Sequence, residues 1–289
     1  MRLDDEAVSL SHMVDVERIR SKAAHPLSSH AFVSVYLWQK QMGLRLTLLD
    51  GAYVVRCAWG ARPGGCFLCG EEAAVLDFAA ALPPGGRLLY LREQDVRALE
   101  AAFPAAFRFE RNPCADEYLY SIEEHLALPG RAYANLRTQV HKVERDFCVR
   151  TEPIGADNAQ DARQIIRQWG HGAHRFAGCD LRDDEVDLTA VAHLSELGME
   201  GVITYLDGEP MAVSAGFPLT PDTFDIVVSK SRENIQGVSY YSKRELMKRV
   251  AGRFARINLE EDLGIPGLRQ MKLGLQPTGM NRIWEAERV

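Results

Sequence analysis

The sequence has no apolar stretch long enough to cross a bilayer as a helix. Its first residues, MRLDDEAVSL, bring acidic side chains early and no apolar h-region, so they do not read as a secretory signal. Neither sign of charge dominates. Thirty-four Lys and Arg stand against 40 Asp and Glu, a net charge of −6, so no global field draws the molecule to DNA or anionic lipid. Gly-x-Ser-x-Gly is missing, as is the Walker pattern Gly-x-x-x-x-Gly-Lys, and with them go the α/β-hydrolase and P-loop readings. No low-complexity tract and no short internal repeat interrupts the chain. The six cysteines are scattered through a chain too long to need disulfide staples, and they read as reduced thiols of a cytoplasmic protein. Cys66-x-x-Cys69 is half of a zinc spacing with no second pair, and His171-x-x-His174 stands among glycines, so no metal is implied.

What remains is ordinary globular composition, 46% hydrophobic and 26% charged over 289 residues, enough for two domains. In the first half, Ser28 or Ser29 caps a helix to about Gln41, and Leu44–Leu49 and Ala52–Trp59 form a hairpin about Asp50-Gly51. A short strand near Phe67 is followed by a helix from Glu71 to Leu82, a strand Leu88–Leu91, a helix Glu93–Ala102 and a strand Phe107–Glu110. Ser121-Ile-Glu-Glu124 has capping-box spacing, and Pro129-Gly130 precedes a helix from Arg131 to about Asp146.

The second half is clearer. Ala162, Ile165, Ile166 and Trp169 follow i, i+3, i+4, i+7, and a second helix covers about Asp184–Leu197. Strands Gly201–Leu206 and Met211–Phe217 join through Asp207-Gly208, and Phe224–Ser229 makes a third. After a polar loop ending at Gly237 comes a helix in which Tyr240, Met247 and Phe254 recur every seven residues. A strand Arg256–Leu259, a helix Pro266–Leu275 and a last strand Asn281–Glu285 complete it. These patterns predict a mixed α/β chain of two domains, 1–150 and 151–289, with the boundary near Phe147–Gly155.

Two stretches are distinctive. One runs Glu117-Tyr-Leu-Tyr-Ser-Ile-Glu-Glu-His-Leu-Ala-Leu-Pro-Gly-Arg-Ala-Tyr133, followed by Arg137. The other runs Asn258-Leu-Glu-Glu-Asp-Leu-Gly-Ile-Pro-Gly-Leu-Arg-Gln-Met-Lys272, followed by Pro277. Together they resemble the C-terminal domain of the phosphatidylglycerol lysyltransferases and its stand-alone relatives. That family is similar in fold to the Fem aminoacyltransferases, which carry tandem GNAT-like domains and use aminoacyl-tRNA. The resemblance implies α/β (α+β) mixed sheets in two tandem GNAT-like domains, the first degenerate, and transfer of an acyl or aminoacyl group. The chain departs from the lysyltransferases in lacking their membrane-spanning part, which sets the lipid acceptor apart from what the resemblance carries.

The candidate residues follow. Asn258 and Glu260 alternate with Ile257 and Leu259, so one face of that strand is polar, and its C-terminal end delivers Glu260, Glu261 and Asp262. On the next helix Ile265, Leu268, Met271 and Leu275 are placed toward the core, with Arg269 and Lys272 together on the other side. A carboxylate beside two cations can orient an amine acceptor or hold a donor's anionic end; it can equally be an ion-pair network fixing the loop. Arg131 and Arg137 can bind phosphate, and Tyr118, Tyr120 and Tyr133 can pack on a base or acyl chain or anchor a seam. Asn234-Ile-Gln-Gly237-Val-Ser239 falls where a GNAT domain carries its pyrophosphate loop, matching strictly only at Gly237, and amides at that helix start would cradle phosphate.

The expectation is therefore an acyl- or aminoacyl-transferase with Asp262, Lys272 and Arg137 carrying the chemistry. Asn234, Gly237, Ser239, Arg131, Arg269, Asn258, Glu260 and the three tyrosines would bind substrate. No cofactor is held tightly; coenzyme A or aminoacyl-tRNA enters as co-substrate, and the acceptor is a small or lipid-like amine or hydroxyl. The rival expectation is a non-catalytic metabolite- or partner-binding protein on a degenerate GNAT fold.

Overall fold

The computed structural model describes residues 5–58, 64–172, 182–232 and 235–289. They form two compact units. The first comprises Met1–Glu117, Glu261–Gly264 and Met280–Val289, the second Tyr118–Glu260 and Ile265–Gly279.

The first unit opens with β1 (Glu6–Ala7), α1 (Met13–Lys22) and α2 (Phe32–Met42), then β2 (Arg45–Leu49), β3 (Ala52–Cys57) and β4 (Gly65–Gly70). It continues through α3 (Glu72–Ala80), β5 (Arg87–Leu91), α4 (Glu93–Ala102) and β6 (Phe107–Arg111). The expected hairpin is present, with Leu49 opposite Ala52 and Thr47 opposite Val54. Helix α1 lies in what the sequence offered as an acidic arm. It buries Val16, Ile19 and Arg20, three and four residues apart, which is a short apolar face diluted by charge. Apolar packing centres on Val54, Leu68, Phe78, Leu88, Val96, Leu99 and Ala286. Cys66 and Cys69 point into β4's two buried faces, and burial pushes their thiols up to about 12 and about 11, which makes them inert packing groups.

The second unit runs β7 (Glu117–Ser121), α5 (Ile122–Ala127), α6 (Ala134–Asp146), β8 (Val149–Pro153), α7 (Ala159–Gly172), α8 (Asp183–Ala192), β9 (Glu200–Leu206), β10 (Glu209–Pro218) and β11 (Thr223–Ser231). Then come α9 (Val238–Val250), β12 (Arg256–Asn258), α10 (Pro266–Gly274) and β13 (Gly279–Asn281), whose last two residues belong to the first unit. Strand β7 begins on the last residue of the first unit, and the second holds the rest. Asp207 and Gly208 both take positive φ, +51° and +89°, which is the two-residue turn whose twist suits the β9–β10 hairpin. The core gathers Tyr120, Phe224, Ile226, Leu246, Val250 and Ile257 against Leu136 and Val140 of α6. Each such side chain contributes roughly 1.5–3 kcal/mol by leaving water.

The last strand, β14 (Trp284–Arg288), corrects one expectation. It does not close the second half. It inserts between β5 and β6 in the first sheet, with Ala286 opposite Leu88 and Phe109. That sheet runs β1-β2-β3-β4-β5-β14-β6, and the other runs β13-β7-β12-β11-β10-β9-β8. Both follow one plan: an antiparallel run, a single parallel step (β4 to β5, β11 to β12), then antiparallel closure. Among the described residues no helix is long and apolar enough to cross a membrane.

Candidate functional site

The parallel step of the second unit is where its sheet opens. Thr223, Phe224 and Asp225 of β11 pair with Arg256, Ile257 and Asn258 of β12, and there the pairing stops. From Ile226 onward β11 has a ladder partner on its β10 side, at Gly216 and beyond. Open α/β sheets keep ligands beyond the carboxyl ends of parallel strands, at such a break. Helix α9 starts at this end. Gly237 caps it with φ +93°, and a Cβ there would lie 2.9 Å from both the backbone oxygen and the Cβ of Gln139, so only glycine fits.

Ser239 follows in the first turn, half-buried, and Lys243 lies one turn further along the same face. The Lys243 ammonium is 7% exposed and donates to Ser229 Oγ of β11 at 2.7 Å and to Ser239 Oγ at 3.0 Å. The two serine oxygens are 3.4 Å apart. Burial pushes Lys243 down to about 8, and the neighbouring Lys230 and Lys272 push in the same direction. No carboxylate among the described residues forms an ion pair with it. A buried cation with only neutral hydroxyl partners is costly, since charges leave water cheaply only when paired. Three lysines, Lys230, Lys243 and Lys272, thus lie near enough to one another for their charges to interact.

Lys230 is balanced differently. Its ammonium lies 3.8 Å from the centre of the Trp169 ring, 3.4 Å from Asp187 and 3.5 Å from Asp183. Burial lowers its affinity for a proton, but the two carboxylates outweigh this and hold it above its ordinary value. Asp187 is pushed up to about 6 by burial, against the pull of Lys230.

The residues singled out from sequence fall as follows. Lys272 is 6% exposed, and its ammonium donates to the Leu259 carbonyl at 2.5 Å and lies 5.7 Å from the Tyr118 ring centre. Its neighbour Met271 is 43% exposed, so the expected facing of α10 is reversed at these two positions. Leu268, Lys272 and Leu275 form the inward stripe, because the lysine stem packs as hydrocarbon while its head finds a carbonyl. Arg269 lies half-buried on the same helix. Asn258 is fully buried and accepts the Glu260 N–H at 2.7 Å, which holds Glu260 at φ +58°. Asp262 belongs to the first unit, fully buried, and accepts the Gly264 N–H at 2.8 Å in a local turn.

Tyr118, Tyr120 and Tyr133 are core side chains. Tyr120 donates to the Lys272 carbonyl at 3.0 Å and Tyr133 to Glu124 at 2.6 Å. Arg137 donates to the carbonyls of Leu128 and Gly130, tying down the loop before α6. Arg131 is exposed. Asn234 and His174 lie outside the described residues, as does the His171 side chain.

Sequence reasoning passed over Lys243, yet the signal was there. Tyr240, Lys243, Met247, Val250 and Phe254 follow three- and four-residue spacing, so a lysine interrupts an otherwise apolar stripe. A charge on the buried stripe of a helix is a stronger pointer to a site than one on its solvated face.

Comparison with known proteins follows from this geometry. A family profile described as "Phosphatidylglycerol lysyltransferase, C-terminal" matches residues 85–284. No curated protein matches the chain. Among solved structures, a conserved protein from Bacteroides thetaiotaomicron VPI-5482 is similar at TM-score 0.89 and 20% identity, covering 100% of both chains. L-PGS from Bacillus licheniformis is similar at TM-score 0.65 and 14% identity over 99% of this chain and 94% of that one. FemX is similar at TM-score 0.62 and 10% identity over 99% and 98%. At these identities the likeness establishes the fold alone, a mixed α/β chain of two tandem GNAT-like units.

Proposed function

Because the chain belongs to the family of phosphatidylglycerol lysyltransferase C-terminal domains, we propose that it transfers an activated acyl or aminoacyl group from a phosphate-bearing carrier to an amine or hydroxyl acceptor. The observation that carries this reading is the Lys243 ammonium, buried between Ser229 and Ser239 at the start of α9 with no ion-paired carboxylate among the described residues. An anionic donor group entering there completes the charge and lies at the positive end of the α9 dipole. Acyl-coenzyme A and aminoacyl-tRNA both supply that anion as well as an activated acyl carbonyl.

The chemistry then needs a proton acceptor for the attacking amine or hydroxyl and donors for the developing oxyanion. Asn258 and Asp262, each engaged in a local turn, shape the backbone around residues 258–264. Lys272 adds positive charge near Lys243.

Thermal-shift titration with acetyl-coenzyme A, with aminoacylated tRNA and with deacylated tRNA tests the reading. A carrier at 100 times its dissociation constant adds roughly 2.7 kcal/mol to the folded state, a shift of several degrees. Stabilisation by one acylated carrier, abolished in Lys243→Met, is the expected result. A protein that none of the three stabilises would refute the proposal and favour a non-catalytic binding role.

A further inference from the structure

On the other side of β11 from α9, two carboxylates converge on a single ammonium. We propose that Asp183, Asp187 and Trp169 form a second subsite, which takes a primary ammonium group of the substrate alongside Lys230. The inference rests on the transferase reading above and adds a cation-binding end to its anion-binding one.

The charge count comes first. Lys230 Nζ lies 3.4 Å from Asp187 and 3.5 Å from Asp183. Asp184, between them on α8, is taken by Arg182, which donates to both of its oxygens. One lysine therefore faces two carboxylates. Asp187 is buried, and its Oδ2 is sealed from solvent yet makes no hydrogen bond among the described residues. Buried polar atoms are nearly always bonded, so this oxygen marks a place for a donor that the chain itself does not supply. Burial holds Asp187 up at about 6 even with Lys230 beside it, and Asp183 pushes the same way. A second cation would relieve both.

The third wall says which cation. The Trp169 ring centre is 3.8 Å from Lys230 Nζ, so the enclosure already holds one ammonium against an aromatic face. Such faces attract organic ammonium groups, whereas hard metal ions need a shell of oxygens. Among the described residues no group of three His, Cys, Asp or Glu could hold a metal. The open side is at Asp183, whose side chain is 34% exposed against 4% for Asp187.

Position joins this cluster to the carrier site. Lys230 follows Ser229, whose hydroxyl holds Lys243 beside the start of α9. Neighbours on a strand point to opposite faces, so the two lysines stand on opposite faces of β11, near enough for their charges to interact. The pairing of β11 with β12 ends at Asp225, which leaves that edge open for a ligand to pass from one face to the other. An ammonium arriving there has two sources: the aminoacyl group that the carrier delivers, or the acceptor.

The test is isothermal titration of the full chain with three probes. L-Alaninamide has its ammonium next to a carbonyl, as in an aminoacyl group; ethylamine is a plain acceptor-type amine; N-acetyl-L-alaninamide has no ammonium. Saturable binding of at least one amine, and none of the acetylated amide, is the expected result. Binding of L-alaninamide alone assigns the subsite to the carried aminoacyl group, and ethylamine binding as tightly assigns it to the acceptor. Asp183→Asn, at the exposed edge, should keep the thermal transition of the parent and weaken binding about tenfold or more, the worth of a hydrogen bond to a charged group. Asp187 is faced by Lys230 from β11 and by Asp183 and Asp184 from its own helix, while Trp169 of α7 brings no titratable group. Affinity should therefore fall from pH 7 to pH 5 as Asp187 takes up a proton, and Asp187→Asn should remove that dependence, which loss of a merely structural contact would not. Amines that bind no better than the acetylated amide, or Asp183→Asn binding as the parent does, overturn the proposal. The two readings fail separately, because these probes carry no phosphate. A parent stabilised by an acylated carrier but blind to both amines refutes the ammonium subsite alone. A parent that binds an amine through Asp183 and is stabilised by no carrier keeps the subsite and refutes the transferase.

Discussion

Replacing Lys243 by Met should make the protein more stable and less functional at once. The side chain is 7% exposed, and burial with two neighbouring lysines takes it from its ordinary 10.5 to about 8. That difference corresponds to about 3 kcal/mol withheld from the folded state whenever the amine is charged. Methionine keeps the packing of the stem and loses two hydrogen bonds to serine hydroxyls, worth about 1 kcal/mol each. The net expectation is a gain of roughly 1–2 kcal/mol at pH 7, and for a unit of this size about 2–4 °C of Tm per kcal/mol. The pH dependence is a second handle. Between about 8 and 10.5 the unfolded chain holds the lysine proton and the folded chain has released it, so parent stability should rise through that window. Lys243→Met should lack that component, and the two curves should converge at high pH. Urea unfolding at pH 7 and pH 10, followed by far-UV circular dichroism, measures both. A variant less stable than the parent by about 1 kcal/mol or more at pH 7 would show that the ammonium holds the fold together. The case for an anion site would then be lost.

Three other outcomes are expected. Lys230→Met leaves Asp187 buried without its ammonium and should cost about 3–5 kcal/mol. That carboxyl, already up to about 6, would rise further, so the deficit should be larger at pH 8 than at pH 5; equal deficits would show that Asp187 does not carry the charge. Acid should loosen the protein early. Burial holds His30 down to about 3 and His125 to about 4, and lowers His25 as well. Below about 6.5 the unfolded chain takes up protons that the folded chain refuses, so stability should fall by up to about 1.4 kcal/mol per pH unit for each imidazole. His30→Gln should flatten that slope, and an unchanged slope would remove His30 as its cause. Arg137→Ala should cost about 1–2 kcal/mol by freeing the Leu128 and Gly130 carbonyls. Carrier-induced thermal shifts should stay intact; their loss would return Arg137 to the donor site.

Much was legible in the sequence because it is local. The hairpins at Asp50-Gly51 and Asp207-Gly208, the stripe of α7 and the helix start after Gly237 are properties of neighbouring residues, and they stand as read. The two signatures carried the family, since motif spacing survives where overall identity does not. The facing of α10 was misjudged between Met271 and Lys272, one residue apart. Hydropathy alone chose the methionine; a carbonyl within reach of the ammonium chose the lysine. Strand β7, inside the first signature, was assigned no element from sequence, because Leu119–Ser121 find their partners in β12, more than 130 residues along the chain.

What the amino-acid sequence determined by itself is most of the elements, their order and the family, each encoded in periodicity, turn chemistry or motif over a few tens of residues. The tertiary structure decided which sheet receives β14, where the parallel pairing of β11 and β12 ends, and which lysine is stripped of water. Those outcomes depend on long-range strand pairing and on the balance between desolvation and charge. Neither is a property of any one segment, so Lys243 is buried between two serines only when β11 and α9 close around it.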